Sequence, residues 1–142
     1  MKVKIKPLHA DLKLPSYGHP GDAGLDLFSL EEYTLKPGVR HIFAVGFALE
    51  FPVGYAAIVK DKGSLSSTEA SLHCLGGIFD AGYRGEYNVC LVNLGQKAYT
   101  IEKGQKIAQL LILPVEHAEF EEVLELSSSS RGAGQFGSTG KF

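Results

Sequence analysis

The residues best suited to chemistry lie in the segment 77–86, which reads GIFDAGYRGE. Asp80 follows apolar residues at the end of a predicted hairpin. A carboxylate held in a largely apolar pocket with one open side can act as a general base on water. Tyr83, three residues further on, could close the floor of a sugar site. Taken alone, Asp80 is more often a turn-capping residue, and Arg84 a surface cation paired with Glu86.

A second group of residues could bind phosphate. Lys62, Gly63 and Ser64 follow a predicted strand and supply a cation, a bare backbone and a hydroxyl. An ordinary solvated turn is the alternative interpretation of these three residues. Gln109 is a polar side chain inside an apolar run, so strand alternation turns it either outward or into a cleft.

The C-terminal segment changes in character at the four serines 127–130, which predict a flexible linker. In the Gly-rich tail 131–142, backbone N–H groups, hydroxyls and the planar cation of Arg131 suit a polyphosphate. The ring of Phe136 could stack on a base. The GxGxxG match at 132–137 is not a dinucleotide fingerprint, because no strand precedes it and no helix can follow it. A disordered terminus is the alternative.

The elements that must position these residues are predicted to be strands, because apolar residues alternate mostly with a period of two. The run 41–51 is apolar on both faces, which is typical of a strand buried on two sides. Further strands are predicted at 55–59, 87–93, 98–101 and 107–114, with one short helical turn at 64–69. With 17 glycines in 142 residues, many short strands and turns predict an all-β sandwich or barrel, jelly roll included.

Composition excludes several classes of function. The chain has 14 Lys+Arg against 16 Asp+Glu, which does not favour a nucleic-acid-binding face. No apolar run approaches the ~18 residues of a membrane span. Two cysteines do not make a disulfide framework, and the first residues lack the apolar run of a secretion signal. We therefore expect a cytoplasmic protein, with a nuclear or viral context left open.

Five segments in order resemble the motifs of the homotrimeric dUTPase family. They read AGLDL at 23–27, DKGSLS at 61–66, GIFDAGYRGE at 77–86, GQKIAQL at 104–110 and RGAGQFGSTG at 131–140. The resemblance implies a distorted jelly-roll-like β-barrel over 1–126 and a Ser-rich linker with a Gly-rich lid over 127–142. It also implies a homotrimer with sites at subunit interfaces, dUTP as substrate and Mg²⁺ carried on the triphosphate. The activity implied is hydrolysis of dUTP to dUMP and pyrophosphate, which limits uracil in DNA and supplies dUMP for dTMP synthesis.

The resemblance also implies roles for the residues of the third segment. Asp80 resembles the carboxylate that activates water for attack on the α-phosphorus. Tyr83 resembles the ring beneath the deoxyribose, where a ribose 2′-hydroxyl would collide. The hairpin around Gly76, Gly77 and Ile78 resembles the backbone edge that recognises uracil.

The remaining implied roles concern the triphosphate and the lid. Gln109 and the Lys62–Ser64 turn resemble phosphate contacts, and Arg131 resembles the cation on the γ-phosphate side. Asp26 resembles a residue that orients a Mg²⁺-bound water and does not ligate the metal directly. Phe136 resembles the ring that covers uracil. The phosphate contacts of the tail are implied for Gly137, Ser138 and Thr139.

Two departures and two alternatives accompany the resemblance. Lys62-Gly63-Ser64 replaces Arg-Ser-Gly, so the cation lacks a bidentate fork, and a lost phosphate donor would lower the rate by about 10²–10³. Gln135 replaces a glycine of the tail. A dCTP deaminase-like enzyme on the same fold is one alternative, but its catalytic glutamate would fall at Cys90. A nucleotide-binding regulator is the other, and the presence of Asp80 opposes it.

Overall fold

A computed structural model describes residues 1–136, 138 and 140 of the chain, and almost all of its regular structure is β. The all-β prediction is therefore confirmed. The elements are β1 (Lys4–Pro7), β2 (Leu25–Phe28), β3 (Tyr33–Leu35), β4 (Arg40–Ala44), β5 (Phe47–Glu50), β6 (Tyr55–Asp61), α1 (Gly63–Ser66), β7 (Leu72–Cys74), β8 (Ile78–Asp80), β9 (Asn88–Asn93), β10 (Tyr99–Ile101) and β11 (Lys106–Pro114).

The strands form antiparallel sheets whose order departs from the chain order. The largest sheet runs β2-β11-β6-β8, and a second runs β4-β9-β7. Two pairs, β1-β5 and β10-β3, complete the described sheets. Neighbours such as β2 and β11 are far apart in sequence, which is typical of the crossed connections of a jelly roll.

The core gathers buried side chains from both larger sheets and from β3, β5 and β10. In β9, Val89, Leu91 and Asn93 are buried while the residues between them are half-buried, which is the period of two expected for a strand with one face inward. Asn93 is the polar exception, and its amide donates to the backbone oxygens of Leu35 and Lys97, both at 2.8 Å. These bonds offset the desolvation of a buried amide.

The predicted single strand 41–51 is wrong, because Gly46 divides it. Gly46 has φ +78°, a left-handed conformation that ends β4 at Ala44 and lets β5 begin at Phe47. The two halves then serve different sheets, since β4 pairs with β9 and β5 pairs with β1. Burial on both faces is also wrong for β4, where Ile42 is 55% exposed.

Two further boundaries differ from those predicted. The helical turn is the single turn α1, shorter than 64–69. The last strand ends at Pro114, so residues 115–126, which we assigned to the barrel, form no strand and are exposed. Phe120 and Leu124 in that segment are 98% and 105% exposed. No helix within residues 1–136, 138 and 140 is long and apolar enough to cross a membrane.

Candidate active site

One end of the large sheet carries a buried carboxylate between two lysines. Asp26 in β2 lies opposite Gln109 in β11 and is 4% exposed. Its Oδ1 accepts a bond from Lys62 Nζ and its Oδ2 one from Lys106 Nζ, each at 2.6 Å. Burial opposes ionisation, but the two ammonium groups outweigh it and hold the pKa of Asp26 below its ordinary value. The side chains of Asp26, Lys62 and Lys106, which we call the Asp26 group, therefore carry one net positive charge together.

Sequence reasoning did not identify Lys106, and the reason is local. Lys106 and Gln109 are three residues apart, so a regular strand would turn them to opposite faces. The register of β11 against β2 shifts between Lys106 and Ala108, which is the mark of a β-bulge. The bulge interrupts the alternation, and Lys106 reaches the same carboxylate as Lys62. Only the bulge, which the sequence did not signal, brings this cation to the site.

Gln109 is half-buried at this same end of the sheet and packs over Gly24. A Cβ on Gly24 would lie 3.0 Å from Gln109 Cβ and 3.4 Å from its Cδ. Any larger residue at position 24 would therefore push the amide aside. The second of the two predicted orientations of Gln109, toward the site, fits its half-burial beside Asp26.

The Lys62–Ser64 turn leads from β6 into α1. Leu65 is buried and anchors the helix, while Gly63 and Ser64 are exposed at its start. Within the described residues no side chain caps α1, and the N–H groups of Leu65 and Ser66 both donate to Lys62 O. The ammonium of Lys62 is already held by Asp26 and is 20% exposed, so it is more constrained than a freely solvated turn lysine.

The segment that contains Asp80 lies at the edge of the same sheet. Gly76 and Gly77 have φ of +71° and +101°, and Val59 N donates to Gly77 O at 2.7 Å. Ile78 is 72% exposed and Asp80 is also exposed. The largely apolar pocket expected around Asp80 is therefore not formed by one chain.

The strand register separates Asp80 from the ion-paired end. Asp80 lies opposite Ala56, whereas Gln109 lies opposite Lys60 on the other side of β6. Four residues along a strand span about 13 Å. One chain therefore brings Asp26, Lys62, Lys106 and Gln109 together but leaves Asp80 apart from them.

Tyr83 lies on an aromatic stack that runs into the core. Its hydroxyl donates to Glu86 O at 3.0 Å, and its ring centroid lies 5.7 Å from that of Phe79 and 5.9 Å from that of Tyr87. Tyr87 is fully buried and its hydroxyl has no partner among the described residues. Burial, with a smaller effect from Tyr83, raises the pKa of Tyr87 to about 12.

The charged residues of this turn do not pair as one interpretation predicted. Arg84 donates to the carbonyl oxygens of Ala81 and Tyr83 at 2.7 and 3.0 Å, and its nearest carboxylate is Glu50 at 3.9 Å. Glu86 instead accepts a bond from the N–H of Gly46 at 3.0 Å. Glu86 thus joins this turn to the point where β4 and β5 divide.

In the described part of the tail, the hydrogen bonds join nearby residues of the same segment. Arg131 Nε donates to Gly134 O at 3.1 Å, and Ser138 N donates to Gln135 O at 3.1 Å. The ring of Phe136 is 104% exposed. Gly137 and Thr139, which we expected to contact phosphate, lie outside the described residues.

Comparison with known proteins decides the family. The family model of dUTPase matches residues 10–140. This chain belongs to the dUTPase family. The deoxyuridine 5′-triphosphate nucleotidohydrolase of Clostridium tetani is 44% identical over 140 residues, which are 98% of this chain and 97% of that protein.

Solved dUTPase structures agree in fold. The Staphylococcus bacteriophage 80alpha dUTPase with dUpNHpp superposes with a TM-score of 0.89 at 30% identity, covering 98% of each chain. The dUTPase of phage phi11 of S. aureus, with a TM-score of 0.81 and 26% identity over 90% of this chain and all of that one, has a structural Mg(II) ion.

The dUTPase chain described here offers a cation few ligands of its own. Within residues 1–136, 138 and 140, no three His, Cys, Asp or Glu side chains are grouped to hold a metal ion. Both carboxylate oxygens of Asp26 already accept bonds from lysines. This donor set fits a cation that arrives on phosphate oxygens, since Mg²⁺ keeps most of its ligands from water and phosphate.

Proposed function

We propose that this protein is a dUTP diphosphatase, which hydrolyses dUTP to dUMP and pyrophosphate. The observation that carries the proposal is the match to the dUTPase family over residues 10–140, a range that includes every proposed site residue. A relative 44% identical over nearly the whole chain is a deoxyuridine 5′-triphosphate nucleotidohydrolase. The complex of the 80alpha enzyme with the dUTP analogue dUpNHpp supports the same substrate here.

The reaction proposed is an in-line displacement by water at the α-phosphorus. Asp80 accepts a proton from the water, the water oxygen bonds to the α-phosphorus, and the bond to the bridging oxygen of pyrophosphate breaks. The exposed position of Asp80 at a sheet edge supports this role, because no ion pair or hydrogen bond within the described residues occupies its carboxylate. A positioned general base contributes about 10²–10⁴ in rate.

Recognition of the nucleoside is assigned to the same edge. The backbone groups of this edge belong to Gly76 and Ile78, which are both exposed, and to Gly77, whose carbonyl oxygen already accepts a bond from Val59 N. We propose that these groups bind uracil and that Tyr83, 40% exposed above its aromatic stack, contacts the deoxyribose. A ring in that position leaves no space for a ribose 2′-hydroxyl.

The triphosphate is assigned to the ion-paired end. Lys62, Lys106 and Gln109 supply two cations and an amide donor, and Ser64 adds a hydroxyl at the uncapped start of α1. Asp26 holds both ammonium groups in place before substrate arrives. Such preorganised charge needs no rearrangement during the reaction, which is where electrostatic catalysis gains most.

Mg²⁺ is the proposed cofactor. It would be held mainly by phosphate oxygens of the substrate, with Asp26 close by. The phi11 enzyme, which has a structural Mg(II) ion, supports a role for this cation in the family. When bound there, Mg²⁺ would supply positive charge that neutralises the phosphates and favours departure of pyrophosphate.

A homotrimer with sites shared between subunits is the proposed assembly. Asp80 and the ion-paired end are about 13 Å apart along β6, so one chain does not offer both to one α-phosphorus. Among the glutamates of residues 115–126, Phe120 and Leu124 are almost fully exposed, and large apolar side chains left exposed on one segment favour a contact with another chain. We propose that this segment crosses to a neighbouring subunit.

The tail is the proposed lid of the site. Arg131 would reach the γ-phosphate, Phe136 would cover the uracil, and Gly137 and Ser138 would contact phosphate. Each ordered residue costs roughly 1–2 kcal/mol of backbone entropy, so closure requires the contacts that a full triphosphate supplies. Closure would then exclude water other than the attacking molecule.

The cytoplasm is the proposed location, supported by two cysteines that are both free. No nucleic acid or membrane partner is proposed, in line with the balanced charge of the chain. The deaminase alternative is not favoured: Cys90 stands where that enzyme's glutamate would fall, and 44%-identical relatives carry the nucleotidohydrolase name.

The test is release of pyrophosphate from dUTP, dCTP, dTTP and UTP with Mg²⁺, comparing the wild-type protein with Asp80→Asn. We expect rapid release from dUTP alone and its loss in the variant. Ammonia released from dCTP would instead assign the chain to the deaminases. Tight binding of dUTP without turnover would identify a nucleotide-binding regulator.

A further inference from the structure

Gly85 lies so close to the Tyr83 ring that any side chain at this position would displace the ring. A Cβ built on Gly85 would overlap the Tyr83 hydroxyl and lie 2.5 Å from its Cζ and 2.9 Å from its Cε2. Real side chains do not approach so closely. The space beside Gly85 is therefore occupied by the Tyr83 ring.

The backbone at Gly85 does not itself require glycine. Gly85 is not among the residues with positive φ, in contrast to Gly76 and Gly77 in the preceding segment. The reason for glycine at position 85 is therefore the ring and not the chain conformation. The Tyr83 hydroxyl bond to Glu86 O, 3.0 Å long, holds the ring over this glycine.

A side chain at position 85 would displace the Tyr83 ring and leave the backbone in place. The colliding atoms belong to the far end of Tyr83, whose side chain is 40% exposed and has solvent on one side. The ring can swing outward about its own torsions, but it then loses the bond to Glu86 and its place above Phe79 and Tyr87.

We propose that Gly85 is a positioning residue for sugar selection: by leaving room for Tyr83, it fixes the ring where a ribose 2′-hydroxyl would collide. This inference rests on the proposed role of Tyr83 as the floor of the deoxyribose site. Gly85 touches no substrate and acts only through the ring.

Gly82 supplies a matched control in the same turn. It is exposed, has no positive φ, and a Cβ built there would meet nothing within 4 Å. Gly82→Ala and Gly85→Ala thus add the same methyl group three residues apart. Only the second methyl group meets the Tyr83 ring.

The experiment compares kcat/KM for dUTP and for UTP in the wild type, Gly85→Ala, Gly82→Ala and Tyr83→Ala. Displacement of a positioned group by about 1 Å costs up to about 10²-fold, so we expect the dUTP/UTP ratio to fall by about that factor in Gly85→Ala. Gly82→Ala, which keeps the ring in place, should retain the wild-type ratio.

The outcomes separate this inference from the role of Tyr83 on which it rests. If Tyr83→Ala loses selectivity and Gly85→Ala keeps it, Tyr83 selects the sugar but Gly85 does not position it. If Tyr83→Ala keeps selectivity, the proposed role of Tyr83 fails and the inference fails with it. Should Gly85→Ala fold poorly, the double variant Gly85→Ala/Tyr83→Ala decides. The inference requires it to match Tyr83→Ala in stability and selectivity, and an added loss overturns it.

Discussion

The two ends of the β2-β11-β6-β8 sheet are built in opposite ways. At one end Asp26 is 4% exposed and both of its oxygens are bonded to lysines at 2.6 Å. At the other end Asp80 and Ile78 are exposed, and the ring of Tyr83 is 40% exposed. Because Asp26 is buried and bonded, we call its end of the sheet the locked end. Because Asp80 is exposed, we call its end the open end.

The difference indicates which part of the site one chain can prepare alone. Cations for a triphosphate can be fixed in advance by a buried counter-charge, at the cost of desolvating that charge. A general base must meet water and substrate, so its carboxylate cannot be occupied by a structural partner. The Asp26 end therefore contributes stability, and the Asp80 end contributes chemistry.

Asp80→Asn should have the largest effect, and only on activity. Loss of the general base should lower kcat for dUTP by about 10³-fold. The thermal unfolding midpoint should stay near that of the wild type, because the side chain is exposed and makes no hydrogen bond or ion pair within the described residues. Pyrophosphate release and thermal unfolding measure the two effects. A large loss of stability in this variant would mean that Asp80 stabilises the fold, in contradiction to its assignment to chemistry alone.

Asp26→Asn, in contrast to Asp80→Asn, should lower the free energy of unfolding. Removing one partner of a buried charge group typically costs 3–5 kcal/mol, and we expect about 3 because Lys106 is well exposed. The pKa of Asp26 is lowered by folding, so its contribution is fully present above its ordinary pKa of 3.8 and is lost as the pH falls below that value.

Urea unfolding of both proteins between neutral pH and pH 3 measures this dependence. The difference in unfolding free energy between the wild type and Asp26→Asn should be constant near neutrality and shrink below about pH 4. A difference that grows with acidity would contradict the lowered pKa.

The smallest predicted effect is that of removing the hydroxyl of Tyr87, whose ring packs beside Tyr83 at the Asp80 end. Tyr87 is fully buried, and its hydroxyl has no partner within the described residues. An unsatisfied buried hydroxyl costs about 1–3 kcal/mol, so Tyr87→Phe should raise the unfolding free energy by about 1 kcal/mol and leave kcat unchanged. A lower unfolding free energy in Tyr87→Phe would show that the hydroxyl is bonded in the folded protein. The Asp80 end would then contribute to stability as the Asp26 end does.

The open end was easier to predict from sequence than the locked end. Asp80 and Tyr83 stand in a contiguous segment, so their proximity needs only a local turn. The Asp26 group joins β2, β11 and the turn after β6, which are distant in sequence, and it depends on the bulge near Lys106. Since a bulge changes which face a side chain occupies, strand alternation could not predict Lys106 as a partner.

The fold was predictable in kind but not at its turning points. Alternation indicated strands, and β9 and β11 lie close to the predicted ranges. Gly46 was counted as one more small residue in an apolar run, because nothing in the sequence showed that its φ would be +78°. Residues 115–126 were assigned to the barrel, because composition does not reveal whether a segment packs on its own chain.

The most direct test of the shared site is complementation between two inactive chains. Asp80→Asn and a chain ending at residue 126 are each expected to be inactive, because one lacks the base and the other lacks the lid. After unfolding together and refolding, mixed trimers should recover about a quarter of the wild-type rate if base and lid come from different subunits, since each must be intact independently. If one chain supplies both groups to the same site, every site in the mixture remains defective, and the absence of recovered activity would contradict the account.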